Sequence, residues 1–135
     1  MASGELLHRL VRARDYLHAE LRTGPTLDDL ARATRLSRAH LARQFADTFG
    51  ISPHQYLVQI RLDAAKRALA AGTSVTEVCY DLGFESLGTF SATFSRRTGM
   101  SPRAWQRAAR TVVQSRGVPV MFVPACFFSH HVEHV

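Results

Sequence analysis

Residues 36–57 read Leu-Ser-Arg-Ala-His-Leu-Ala-Arg-Gln-Phe-Ala-Asp-Thr-Phe-Gly-Ile-Ser-Pro-His-Gln-Tyr-Leu, and residues 84–105 read Phe-Glu-Ser-Leu-Gly-Thr-Phe-Ser-Ala-Thr-Phe-Ser-Arg-Arg-Thr-Gly-Met-Ser-Pro-Arg-Ala-Trp. A shift of 49 lays Ser37 on Ser86, Leu41 on Phe90, Phe45 on Phe94, Gly50 on Gly99, Ser52-Pro53 on Ser101-Pro102 and Tyr56 on Trp105. Upstream, a shift of 48 lays Leu27 on Val75, Leu30 on Val78 and Leu36 on Phe84. The extra residue is Glu85, in a turn, where an insertion disturbs least. Each copy reads as a helix-turn-helix unit. Two such units about 49 residues apart suggest a molecule that touches something periodic.

Working outward, Leu6, Leu7, Leu10, Val11, Leu17 and Leu21 recur at helical spacing and predict an amphipathic helix over 5–22, stopped by Gly24-Pro25. Thr26 caps a second helix, with Asp29 at the capping-box position and Leu27, Leu30 and Ala31 inward. Ser37 caps the third, whose buried stripe is Leu41, Phe45 and Phe49, and Gly50 ends it with a left-handed residue. Ser52 as cap and Pro53 as first residue open a fourth helix to about Ala71. Its roughly 19 residues span about 28 Å. Ser74 and Glu77 read as a further capping box, starting a fifth helix with Val75, Val78, Cys79 and Leu82 inward, and Gly83 takes the tight turn. Ser86 caps a sixth helix that buries Phe90 and Phe94 and ends at Gly99. Ser101-Pro102 opens a seventh, holding Trp105 and running to about Thr111.

The expected fold is therefore all-α: seven helices forming two helix-turn-helix subdomains (5–52 and 73–112) joined by a long linker helix (53–71). An apolar, non-helical C-terminal tail (113–135) follows. No flexible linker separates the halves, so a fixed mutual orientation is expected. The linker's length suits two recognition helices one turn of B-DNA, about 34 Å, apart.

Composition narrows the partner. The chain has 135 residues, 46% of them hydrophobic, enough for a real core. A net charge of +6 and a pI near 10.3 favour a polyanion, with nucleic acid ahead of an acidic membrane. All 17 basic residues precede Gly117, and Lys66 is the one lysine among them. Arginine suits bidentate contact with phosphate and guanine. The two cysteines, Cys79 and Cys126, make no disulfide or metal pattern, which fits a reducing compartment. No apolar signal core and no run of about 20 apolar residues is present. A cytoplasmic protein that is neither secreted nor membrane-bound is expected.

In a helix-turn-helix the second helix enters the major groove, N-terminal residues at the base edges. On the third helix the buried stripe leaves Arg38, Ala39, Ala42 and Arg43 outward. Arg43 has the geometry for guanine O6 and N7, and Ala39 and Ala42 suit a thymine methyl. On the sixth helix the outward set is Leu87, Gly88, Thr89, Ala92, Thr93 and Arg96, a small and mostly uncharged face. Helix starts at Ser37, Ser86 and Ser101 offer free N–H groups to phosphates, with Arg61, Arg97 and Arg103 as supporting charges alongside Arg96.

These residues resemble the DNA-binding domain of the AraC/XylS transcription regulators. The likeness rests on Leu27-Asp-Asp-Leu-Ala31, Leu36-Ser-Arg-Ala-His-Leu41, Phe45, Gly50-Ile-Ser-Pro53, Tyr56, Arg61-Leu62 with Ala65-Lys66, and Asp81-Leu-Gly-Phe-Glu-Ser86 through Phe90, Phe94, Gly99-Met-Ser-Pro102 and Trp105. It covers about residues 5–112, leaving no room for the effector domain most members carry, so the chain is similar to the stand-alone, MarA/SoxS-like members. The resemblance implies binding to double-stranded DNA and action with RNA polymerase, as an activator by family expectation. It implies base reading at Ala39, Ala42 and Arg43, and at Leu87, Gly88, Thr89 and Ala92. MarA-like members hold an aromatic where Ala39 lies, two glutamines at Leu87 and Gly88, and an arginine at Ala92. That departure assigns most specificity to the third helix and shape fitting to the sixth.

From Val118 to Phe128 the tail reads Val-Pro-Val-Met-Phe-Val-Pro-Ala-Cys-Phe-Phe, and its two prolines exclude a stable helix. It is expected to be covered, by the domain's own surface, by a second tail in a homodimer, or by a partner protein; otherwise the protein is a monomer. Cys126, His130, His131 and His134 are plausible metal ligands at a spacing that is not a standard zinc pattern, so no cofactor or metal is expected. The alternatives are a protein-interaction module and a metal- or thiol-responsive regulator using this tail. An enzyme is not expected: the Pro-Cys-His-Arg nucleophile of DNA alkyl-repair proteins is absent.

Overall fold

A computed structural model describes residues 3–116, with side chains through Thr111. Among these residues every regular element is an α-helix: α1 Gly4–Ala19, α2 Leu27–Thr34, α3 Arg38–Phe49, α4 Pro53–Ala70, α5 Val75–Asp81, α6 Leu87–Thr98 and α7 Pro102–Arg116. Two compact units divide the chain within α4, one of residues 3–60 and one of residues 61–116.

Local chemistry sets each boundary. Ser3 caps α1, its Oγ accepting the Leu6 amide at 3.2 Å. Thr26 and Asp29 exchange bonds at 2.9 and 3.1 Å, closing the expected box on α2. Hydrogen bonds to Thr26 and the Arg32 guanidinium hold the Asp29 carboxyl below its ordinary pKa. Ser52 and Gln55 form a second reciprocal box, both bonds 3.1 Å, at the start of α4. At α5 the Ser74 hydroxyl accepts the Glu77 amide at 3.2 Å, but among the described residues the returning carboxylate bond is not made, so that box is half formed. Gly50 and Gly99 end α3 and α6 with φ of 84° and 83°.

The repeat recurs in the packing. In the first unit, α1, α2, α3 and the start of α4 enclose Leu10, Ala13, Leu17, Leu30, Leu41 and Phe45. Tyr56 of α4 meets Phe45 edge-on at 5.7 Å, and its hydroxyl lies 2.8 Å from His18 Nε2 of α1. The second unit repeats this one helix later: Trp105 of α7 meets Phe94 edge-on at 5.9 Å, and its Nε1 donates to the Lys66 carbonyl of α4 at 3.3 Å. Each aromatic thus packs on the matching phenylalanine of α3 or α6 and anchors its polar tip to the helix that opens the unit. Gln106 adds bonds to the Leu69 and Thr73 carbonyls at 3.1 and 2.7 Å, satisfying groups at the open end of α4.

Lys66 is only 2% exposed. Its ammonium lies 5.4 Å above the Trp105 ring and 3.9 Å from Asp63, and burial lowers its pKa against the opposing pull of Asp63. Cys79 is wholly buried, and burial pushes its thiol up, as an apolar packing role requires.

Several expectations need correction. Helix α1 ends at Ala19 rather than near residue 22, because Glu20 leaves helical geometry at φ −113°, ψ 24° and Thr23 bonds back only three residues, to the Glu20 carbonyl at 3.1 Å. Leu7 is 44% exposed and lies off the buried Leu10–Ala13–Leu17 stripe. Helix α7 runs on to Arg116, so residues 113–116, assigned to the non-helical tail, are helical; the first tail proline lies beyond them, at Pro119. The apolar run from Val118 and the Cys126, His130, His131 and His134 group lie outside the described residues.

Candidate nucleic-acid interface

The turn that aims α3 is made by Arg35, a non-glycine residue at φ 59°, ψ 32°. Its repeat equivalent before α6 is Gly83 at φ 82°. Ser37 then caps α3, its Oγ accepting the His40 amide at 3.1 Å. Arg38, Ala39 and Arg43 are exposed and Ala42 is half-buried. The Arg38 Nε lies 3.2 Å from Asp28, a pair with both side chains well exposed. Such a pair is worth at most about 1 kcal/mol, so Arg38 can change partner cheaply. Arg43 has no hydrogen-bond or ion-pair partner among the described residues, and its five donors are unspent.

On α6 the Ser86 Oγ accepts the Thr89 amide at 3.1 Å and donates to the Thr89 hydroxyl at 3.0 Å. Leu87, Gly88, Thr89 and Ala92 are exposed, as are Arg96 and Arg97 in the last turn; Thr93 is half-buried beside Phe94. Gly88 is not demanded by packing. A Cβ there would meet only Ser86 Oγ, at 3.9 Å, so the bare backbone is open to close approach from outside.

The capping oxygens of Ser37, Ser86 and Ser101 each accept an amide of their own helix, Ser101 from Ala104 at 3.1 Å, while among the described residues only the Ser86 hydroxyl also donates, to Thr89. An anion at these sites would meet first-turn amides, with the Ser37 and Ser101 hydroxyls as further donors. Arg97 and Arg103 are exposed. Arg61 is half-buried, its guanidinium 5.8 Å from the Phe84 ring, and burial lowers its pKa. It braces the second unit as much as it presents charge. Sequence reasoning missed Thr76 and Ser91, which join Leu87, Ser101 and Arg103 around a groove of about 450 Å³ in the second unit. Ser91 stands one helical turn after Leu87, a spacing that could have flagged it.

Among the described residues no helix is long and apolar enough to cross a membrane, and no group of three or more His, Cys, Asp or Glu is placed to hold a metal.

Two capped helix-turn-helix units on a duplicated scaffold match a known pattern: a helix-turn-helix domain family covers residues 30–108. The chain belongs to the AraC-type helix-turn-helix family. It is 34% identical over 92 residues to the HTH-type transcriptional regulator YobQ of Bacillus subtilis, covering 67% of this chain and 38% of that protein. A transcriptional regulator from Chromobacterium violaceum with an AraC-type DNA-binding domain superposes with TM-score 0.72 at 26% identity, over 76% of this chain and 93% of that one. The DNA-binding domain of the global transcriptional factor AdpA, in complex with a target DNA, gives TM-score 0.72 at 30% identity, over 76% and 94%. The chain spans less than half the length of the curated relatives it matches. This AraC-type chain shares the all-helical, duplicated fold of these domains.

Proposed function

We propose that this chain is a sequence-specific DNA-binding transcription regulator that reads duplex DNA with α3 and α6 in successive major grooves and acts at promoters together with RNA polymerase. The observation that carries the reading is the exposed start of both recognition helices, with the unpartnered Arg43 guanidinium at the centre of the α3 face. The AdpA domain, solved with its target DNA, supports duplex DNA as the partner. Helix α3 supplies most specificity, through Arg43 at guanine and Ala39 and Ala42 at thymine methyl groups. Helix α6, with Leu87, Gly88, Thr89 and Ala92 outward, fits groove shape and methyl groups. Arg97, Arg103 and the first-turn amides hold phosphates, and Arg96 supports them.

Selection of binding sites from a random duplex pool at roughly 0.15 M salt tests this, because low salt lets phosphate contacts mask specificity. Two enriched blocks centred about 10 base pairs apart are the full expectation. One block would leave α3 as the reader and reduce α6 to backbone fitting. A pool with no enrichment would refute sequence-specific reading.

A further inference from the structure

The charge of this chain is unevenly laid out. Residues 86–116 hold six of the 17 basic residues and none of the 11 acidic ones. The remainder of the chain balances, eleven basic residues against eleven acidic, so α6 and α7 account for the whole net charge of +6. Three of those arginines line up. Arg103, Arg107 and Arg110 of α7 are exposed, and at 3.6 residues per turn they fall within about 60° of one another. Trp105 and Ala109, 2% and 1% exposed, hold the opposite side of the helix against the core. None of the three guanidiniums has a hydrogen-bond or ion-pair partner among the described residues. A solvated face ordinarily intersperses both signs of charge; this one carries a single sign.

The stripe begins beside the recognition face. Arg103 borders the groove that Leu87, the first residue of α6, also lines. From there the three arginines cover seven residues of α7, about 10 Å. One strand of B-DNA presents a phosphate about every 3.4 Å along the axis, so the stripe matches about three of them. The guanidinium fork suits phosphate oxygens at each step. We propose that the Arg103–Arg107–Arg110 face of α7 is a phosphate anchor that grips the DNA backbone beside the groove α6 enters. The inference rests on the DNA reading and adds Arg107 and Arg110 to it, with a division of labour. The first unit selects the sequence, and the second, poor in base-reading donors, supplies the salt-sensitive grip.

The test is the salt dependence of binding by the full chain, on a selected duplex and on a shuffled one, between about 0.05 and 0.2 M salt. Each phosphate contact adds about 0.9 to the slope of log affinity against log salt. Arg107→Gln with Arg110→Gln should therefore reduce the slope by about 1.8 and weaken both duplexes alike, about 30-fold at 0.15 M salt. Arg12→Gln with Arg22→Gln, an equal loss of charge from exposed positions of the first unit, should leave the slope unchanged. Thermal unfolding of both double variants should match the parent, since every replaced side chain is exposed. A slope equal to the parent's, an equal drop in the first-unit variant, or a loss confined to the selected duplex would overturn the proposal. Phosphate contacts carry no sequence information, so the shuffled duplex decides even where no site is selected. A parent chain that binds neither duplex would remove the DNA reading and this anchor together.

Discussion

Replacing Arg35 with glycine should make this protein more stable, although it removes a long side chain. Arg35 is the one described non-glycine residue with positive φ, and it forms the turn between α2 and α3. A left-handed conformation costs a residue bearing a Cβ about 1–2 kcal/mol. Glycine escapes that cost but surrenders about 0.5–1 kcal/mol of extra freedom in the unfolded chain. The difference leaves a net gain of about 0.5–1 kcal/mol. Little else changes, because the Leu36 amide bond to the Ala31 carbonyl and the long 3.5 Å contact from Arg9 both use Arg35 or its neighbour through the backbone. Urea unfolding followed by Trp105 fluorescence and circular dichroism measures the shift. The duplicated fold supplies the mirror test: Gly83→Ala, at φ 82°, should lose a similar about 0.5–1 kcal/mol. Arg35→Ala separates the causes, since it removes the guanidinium and keeps the Cβ, and it should give no gain. The reasoning is refuted if Arg35→Gly is no more stable than the parent, or if Arg35→Ala gains as much.

Three further outcomes are expected. Arg43→Ala should leave folding within about 0.5 kcal/mol of the parent, because the side chain is exposed and unpartnered. In competition binding it should cost about 1–3 kcal/mol at one base position; a loss shared equally by all sequences would remove Arg43 from base reading. Tyr56→Phe deletes the hydroxyl that meets His18 at 2.8 Å and should cost about 0.5–1.5 kcal/mol in urea unfolding, where an unchanged midpoint would show the contact to be idle. Lys66 has a folded pKa lowered below 10.5, so the unfolded chain holds more protons in the window just under that value and stability rises there with pH. Lys66→Met should lack this rise, and a stability difference between the two proteins that stays flat across the window would contradict the assignment.

The capping signals were legible because they are local. A hydroxyl at Thr26, Ser37 or Ser86 reaches an amide three residues on, and a left-handed glycine closes α3 and α6 whatever the rest of the chain does. Duplication made the two-unit architecture legible as well, since Phe45 with Tyr56 and Phe94 with Trp105 sit at the same spacing in each copy. The outward faces of α3 and α6 followed from the same periodicity, with Thr93 and Ala42 more buried than a helical projection alone implies.

Tertiary structure decided the contacts between residues far apart in sequence. Trp105 reaches the Lys66 carbonyl 39 residues away, His18 meets Tyr56 across 38, and Gln106 closes the end of α4 across 33 and 37. Packing also decided which charged groups are spent: Lys66 is buried over Trp105, Arg61 lies on Phe84, and Arg38 is tied to Asp28, while Arg43 stays free. Periodicity marks which face of a helix turns inward, because every residue in a turn shares the same backbone geometry. It carries no information on which rotamer a long side chain adopts or which distant carbonyl it meets. Those are settled only when neighbouring helices close around it, which is why an aliphatic cavity bordered by α2, α3 and the start of α4 had no sequence signature.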